Sequence, residues 1–413
     1  MSFNFLGTKV FFLICLAILV CGAVIYHKPQ FIYNTIKYSN PSMETATQAT
    51  TLEMPTAEVT PIEPTHESIL KPVADNLPVT HIKTPENVRA LYVSAWIAGS
   101  SKSFPRIVKI ADDTEVNALV VDIKDSTGRI SYAVSDPELA KFKSSQNRIS
   151  NIRALTRLLH QHNIYIIGRI SVFQDPYMTA LKPEWAITKK SDGTVWKDRK
   201  GLSFLDPANK NVHDYVVSIA RDAYDEGFDE INFDYIRYPS DGEISNINYH
   251  LAPGKTRADN IESFFKYLHQ EVKKGKDIPM SADLFGLTTE AGDDMGIGQV
   301  WGKALPYFDY LAPMVYPSHY PSGHMGFKKP AEHPYEIINT AMKGAITKTK
   351  LIPNEDIKKI RPWIQDFNLG AIYTKDMIRD QMKAAYDNGI MSWMIWDPSN
   401  KYTVSALELE NTQ

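Results

Sequence analysis

Residues 227–242 read GFDEINFDYIRYPSDG. From Asp229 to Ile236 apolar Ile231 and Phe233 alternate with polar Asn232 and Asp234, so the run predicts a strand with Asn232 and Asp234 on one face. Apolar residues at three- and four-residue spacing before it (208–226) and after it (256–274) predict a helix on either side. The same unit recurs outward in both directions. Strand-like runs stand at 88–96, 117–124, 164–171, 278–285, 310–316, 360–367 and 390–396. Further helical periods lie at 104–115, 149–162, 334–350 and 373–388, and Asp206-Pro207 looks like a helix start. Eight strands with helices between them are the pattern of a (β/α)8 TIM barrel in the α/β class. An open doubly wound sheet is the alternative, weakened by the lack of a G-x-G-x-x-G turn after the first strand.

Alternation sorts the polar residues onto one rim. Asp122 and Lys124 share a face of the second strand, and Arg169 ends the third. Ser281 and Asp283 share a face of the fifth; Met314 and Tyr316 end the sixth, Gln365 the seventh, and Asp397 follows the eighth. In a barrel the C-terminal ends of the strands carry the loops that build active sites. Any one strand-end Asp is as readily a helix cap or turn residue. Their convergence is what argues for chemistry.

Composition narrows the function. The 413 residues are 43% hydrophobic and 23% charged with net charge −3, which excludes wholesale disorder and gives no basic field for nucleic acid. The two cysteines, Cys15 and Cys21, both lie in the first apolar segment, so the body has no disulfide and no thiolate site. His319 and His324 stand in no H-x-H or H-E-x-x-H spacing, the chain has no G-x-S-x-G elbow or Walker A sequence, and neither metal nor cofactor is expected.

The N-terminus reads differently. The apolar run 10–26 is at the short end of what spans a bilayer. We read 1–29 as an uncleaved signal-anchor, with a cleaved signal peptide, and so secretion, as the alternative. Residues 30–85, rich in Thr, Pro, Glu and Ala, read as a disordered tether, and 86–405 as the barrel, held outside the membrane.

Beyond periodicity, LYVSAW (91–96), VVDIKDSTG (120–128), GRISVFQDP (168–176), INFDYIRYP (231–239), LAPMVYPSHY (311–320) and MIWDPSN (394–400) resemble the DUF4015 family, a bacterial group of glycosidase-like TIM barrels. The resemblance covers roughly 88–400 and implies a glycoside hydrolase acting on carbohydrate.

Glycoside hydrolysis needs two carboxyl groups flanking the scissile bond, one of them able to stay protonated. Asp234 and Asp283 end consecutive strands, about 4.8 Å apart in an ideal ladder, with Asp122 or Asp125 as further candidates. Arg237 is expected to keep Asp234 ionised, and the apolar Leu284 and Phe285 to raise the pKa of Asp283. In chitinase-like barrels the fourth strand carries D-x-x-D-x-D-x-E. Here those positions hold Asp229, Asn232, Asp234 and Ile236, so the usual acid is missing and a substrate-assisted mechanism is not supported. Trp96, Asp125, Arg169, Asn232, Tyr235, Arg237, Tyr316, His319, Trp396 and Asp397 are the expected substrate contacts. Phe173, Trp196, Tyr320 and Trp393 also lie at or beyond strand ends, where some aromatic residues would stack on sugar and others pack the core. The alternatives are a non-catalytic carbohydrate-binding barrel and a polysaccharide lyase or deacetylase.

Overall fold

A computed structural model describes residues 78–409. Its centre is a closed barrel of eight parallel strands: β1 (Arg89–Val93), β2 (Ala118–Lys124), β3 (Tyr165–Ser171), β4 (Glu230–Asp234), β5 (Met280–Phe285), β6 (Tyr310–Met314), β7 (Trp363–Gln365) and β8 (Trp393–Trp396). Each strand pairs with its neighbours in sequence, and β1 closes onto β8 through Arg89 opposite Trp393. Every residue of β2 and β3 is buried, as parallel strands covered on both faces must be. The expected eight strands are therefore present, most of them shorter than their sequence runs.

Six helices form the outer layer: α1 (Phe104–Asp113), α2 (Ile152–Gln161), α3 (Lys210–Asp225), α4 (Arg257–Val272), α5 (Pro334–Lys350) and α6 (Lys375–Tyr386). Local chemistry fixes their starts. Asn151, Asn209 and Thr374 each accept a bond from a first-turn N–H, and Thr256 with Asp259 forms a reciprocal capping box. The expected start at Asp206-Pro207 is displaced to Lys210, because Asp206 is spent on the Ala208 N–H and on His250. Between β5 and β6 the longest α-helix has only four residues, Trp301–Ala304. After β8 the chain turns at Val404–Ala406 and returns to pair Leu409 with Thr114.

The β6–β7 seam is the thinnest. One strand pair, Met314 with Trp363, and an isolated bridge, Leu311 with Ile360, join the two strands. Pro313 within β6 and Pro362 before β7 have no N–H to give the ladder.

The N-terminal mouth is plugged from below. The Ile82 N–H donates to Asp229 at 2.8 Å, Thr84 bonds the Tyr165 hydroxyl at 2.9 Å, and His81 stacks on Tyr224 at 3.9 Å. Just inside, Arg361 pairs with Glu230 at 2.8 Å, and Tyr165 donates to the same carboxylate. Contacts with the barrel are already present, among the described residues, at Thr80, which bonds His160 at 3.3 Å, ahead of the boundary read at 85 from apolar periodicity. Among the described residues no helix is long and apolar enough to cross a membrane. The anchor read at 1–29 and most of the tether lie outside the described residues.

Candidate active site

Arg169 organises the C-terminal mouth. It lies near the C-terminal end of β3, between β2 and β4, and its register partners are Asp122 on one side and Asn232 on the other. Its guanidinium uses both neighbours: Nη1 donates to Asp122 Oδ1 at 2.6 Å, while Nε and Nη2 both donate to Asp234 Oδ2, at 3.1 and 2.5 Å. Nε also lies 4.0 Å from Asp283 Oδ2. The three expected catalytic carboxylates therefore meet around one buried cation. Gly168, next to Arg169, makes the close packing possible. A Cβ there would stand 2.2 Å from Ile123 Cδ1 and 2.8 Å from Phe228 Cδ1, both buried.

The carboxylates differ in their surroundings. Asp122 accepts from Tyr92 at 2.6 Å as well as from Arg169, and burial raises its pKa while Arg169 pulls it down. Asp234 Oδ1 accepts from the Tyr235 N–H at 2.6 Å. Asp283 is 1% exposed, and its Oδ1 accepts from Asn232 Nδ2 at 2.9 Å and Trp363 Nε1 at 2.7 Å. Burial first, then the charge of Asp234, pushes its carboxyl well above the usual carboxylate range, with Arg169 opposing. The raised pKa was expected from Leu284 and Phe285 as sequence neighbours. Its actual source is the depth of the site and the second carboxylate.

Aromatic rings wall this cluster. Tyr92 stacks on Trp396 at 3.9 Å, Trp363 meets Trp396 edge-on at 5.6 Å, and Arg169 lies 5.1 Å from the Trp396 ring. Tyr316 is buried beside them, and burial together with Asp283 holds its hydroxyl well above the usual phenol range. His319 bonds Ser318 at 2.9 Å and packs edge-on to Tyr316 at 5.2 Å; burial lowers its pKa to about 4. The imidazole is thus neutral at physiological pH.

Several expected residues sit elsewhere. The partner of Asp234 is Arg169 rather than Arg237, whose guanidinium rests 5.0 Å from the Tyr235 ring and 4.5 Å from the Phe285 ring and donates to the Tyr238 carbonyl at 3.0 Å. The reason is the backbone at Tyr235, which turns left-handed (φ 52°) and ends the strand alternation. That conformation costs a non-glycine residue roughly 1–2 kcal/mol and is commonest where a site demands it. Lys124 also leaves the face of Asp122. The register shifts between the two, and Lys124 pairs with buried Asp175 at 3.0 Å. Asp397 accepts from the Ser399 N–H at 2.6 Å, a turn contact apart from the Arg169 cluster. Asp125 holds Arg148 at 2.5 Å on the loop after β2, and Trp96 stands over Arg148 at the outer rim. Phe173, Trp196 and Trp393 are core, and Tyr320 is buried too.

Tyr92 and Trp363 were not read as site residues, although alternation carried the signal. Trp363 shares a strand face with Gln365, and Tyr92 one with Ala90. Among the described residues no three His, Cys, Asp or Glu side chains are placed to hold a metal ion. The chemical content of the mouth is two inequivalent carboxyls on adjacent strands, a third held by a phenol, one shared cation and a ring of aromatic faces.

Comparison with known proteins speaks to the fold and the family. The structure of the PgaB (BpsB) glycoside hydrolase domain from Bordetella bronchiseptica matches at TM-score 0.58 and 11% identity, covering 78% of this chain and 99% of that one, and shares the fold. A "hypothetical protein" from Ruminiclostridium thermocellum ATCC 27405 is 34% identical over 47% of this chain and 96% of its own, with TM-score 0.43. The alpha-galactosidase TtGalA from Thermus thermophilus matches at TM-score 0.49 and 11% identity, covering 78% of this chain and 60% of that one. No curated protein shows significant similarity. The model of the family described as "Putative glycosyl hydrolase domain" matches residues 90–402, most of the chain and nearly all of the barrel, and the chain belongs to that family, DUF4015.

Proposed function

We propose that the barrel hydrolyses glycosidic bonds in a cell-envelope or extracellular polysaccharide, with Asp234 and Asp283 as the working carboxyl pair and Asp122 as a supporting third. The observation that carries this reading is the division of environments around Arg169. Asp234 takes two of its bonds as an ion pair, whereas Asp283 is deeper, 4.0 Å from the same cation, and has a raised pKa. Two carboxyls in surroundings this different divide acid from nucleophile or base. Since Nε reaches one oxygen of each, the two Oδ2 atoms are no farther apart than about 7 Å, close enough for the roughly 5 Å of a retaining glycosidase or the short end of the inverting range. Asp283 gives its proton to the glycosidic oxygen as the bond to the anomeric carbon breaks. Asp234 then meets that carbon either through a water it deprotonates or directly; in the direct case a water that returns its proton to Asp283 attacks the same carbon and breaks the ester, freeing Asp234. Trp396, Tyr316 and Tyr235 supply faces for the sugar, and Asn232 fixes the orientation of Asp283.

The test is product analysis on purified envelope polysaccharides, with a chelator in parallel. New reducing ends, formed equally with and without chelator, are expected. Unsaturated products would assign a lyase, chelator-sensitive acetate release without chain cleavage a deacetylase, and binding without any product a non-catalytic barrel. Each would overturn the hydrolase reading.

The same proposal holds the barrel outside the cell membrane as a single-pass protein, supported by the apolar run at 10–26 and the tether after it. Protease added to intact cells or spheroplasts is expected to release the barrel by cutting between residues 30 and 77. Protection until lysis would place the barrel inside and remove the envelope substrate.

A further inference from the structure

Trp96 is the one exposed Trp, Tyr or Phe among the described residues, with 61% of its surface open. It sits on a single helical turn, Ala95–Ala98, directly after β1, on the rim that carries the carboxylates. This turn is firmly built. Ser94 caps it, and the Ser94 N–H and hydroxyl both bond Asn400 Oδ1 at 3.0 Å. At its end Gly99 lies so close to the Arg148 carbonyl that a Cβ there would be 1.9 Å from the oxygen.

The indole has a specific support. The Arg148 guanidinium lies 4.8 Å from the ring centroid, and the Arg148 side chain is only 3% exposed. Its donors are occupied by Asp125 at 2.5 Å, Gln146 at 2.8 and 3.1 Å, and Thr127 at 3.2 Å. Arg148 therefore has little capacity left for a ligand, and its role is to hold a flat ring. A flat apolar face held on a fixed base is already ordered, so a ring that covers it gains the burial of that face with little ordering entropy to offset. Position suggests what does. In the eight-stranded ring β1 lies opposite β5, so Trp96 and Asp283 occupy facing sides of the mouth with Tyr92, Asp122 and Arg169 between them.

Resting on the hydrolase reading above, we propose that Trp96, seated on Arg148, is an outer subsite that stacks on a pyranose ring of an extended glycan lying across the barrel mouth. The substrate is then a polymer or long oligosaccharide rather than a mono- or disaccharide, because the ring on Trp96 is additional to the two rings that flank the scissile bond at Asp283.

Affinity electrophoresis through gels cast with the envelope polysaccharides, or with soluble chitosan or galactan, reads binding without turnover. Wild type is expected to be retarded in at least one gel. Trp96→Ala should bind at least tenfold more weakly there, and Trp96→Tyr should keep most of the retardation because a flat ring remains. On oligosaccharide ladders of the retarding polymer, the kcat/KM loss in Trp96→Ala should grow tenfold or more from the disaccharide to the hexasaccharide. Equal retardation of wild type and Trp96→Ala, a loss independent of length, or no retardation of wild type in any gel would overturn the subsite. So would a change confined to self-association in sedimentation. Retardation that depends on Trp96 while no product forms would leave the subsite standing and defeat the hydrolase reading alone.

Discussion

Asp283→Asn is expected to lower turnover of a natural polysaccharide by about 10²- to 10⁴-fold, the usual worth of a positioned proton donor, while leaving the fold intact. The amide oxygen can still accept from Asn232 and Trp363, as Oδ1 does now. Aryl glycosides with good leaving groups need little protonation, so on those the variant should lose much less. The pH profile gives an independent check. Asp283 is raised by burial and by the charge of Asp234, and it is the protonated form that works, so activity should fall as pH rises through its folded-state pKa. The alkaline limb should vanish in Asp283→Asn. Asp234→Asn is expected to lose about as much or more on every substrate, because the group that meets the anomeric carbon is needed whatever the leaving group. It should also be less stable than Asp283→Asn. Asp234 accepts on both oxygens, from Arg169 and from the Tyr235 N–H, so an amide must turn its NH₂ toward one donor. Equal loss on activated and natural substrates in Asp283→Asn would move the acid to Asp122, the other carboxyl held by Arg169. Full activity in Asp234→Asn would end the mechanism.

What the sequence made legible follows from where strand alternation holds. Asp122, Arg169, Asn232, Asp234 and Asp283 all lie on regular β-ladders, and their faces came out correctly because a period of two has little room for error. The reading failed just past those ladders. Lys124 follows a register shift and Arg237 follows a left-handed residue, and neither irregularity has a glycine or proline to announce it. The partner of Asp234 was nonetheless within reach. β3 must lie between β2 and β4 in a barrel of sequential strands, so an arginine ending β3 faces both neighbouring carboxylates. Proximity in sequence favoured Arg237, but proximity across the sheet decided the pairing. Depth was less accessible. That Asp283 is almost fully buried depends on Trp363 and Asn232 closing over it from other strands, which no local pattern encodes.

Arg169→Met should be the most destabilising single substitution at the mouth. The side chain is of similar length and 7% exposed in the native arginine, so packing changes little and the effect is electrostatic. Breaking a buried ion pair by deleting one partner costs about 3–5 kcal/mol, because the remaining charge has neither water nor counter-ion. Here Asp122 and Asp234 lose their cation together, and Asp283 loses the one that opposes its upward shift. The response to pH has a definite sign. Asp122 and Asp283 already have folded-state pKa values above the unfolded one, so between those values the folded protein holds protons that the unfolded chain releases. Stability from these groups is therefore present at low pH and lost as pH rises through the folded pKa. Removing Arg169 raises both further and widens that window upward. Urea denaturation should accordingly show a large deficit against wild type at neutral pH and a smaller one in mild acid, where protonation relieves the unpaired charges. Arg169→Lys should recover part of the stability, since one ammonium can neutralise one carboxylate. It should recover little activity, because a point charge cannot hold Asp122 and Asp234 in fixed geometry as the guanidinium fork does. A deficit below about 1 kcal/mol, on the scale of an exposed pair, or one that does not change with pH, would mean that Arg169 is not the counter-ion of the cluster.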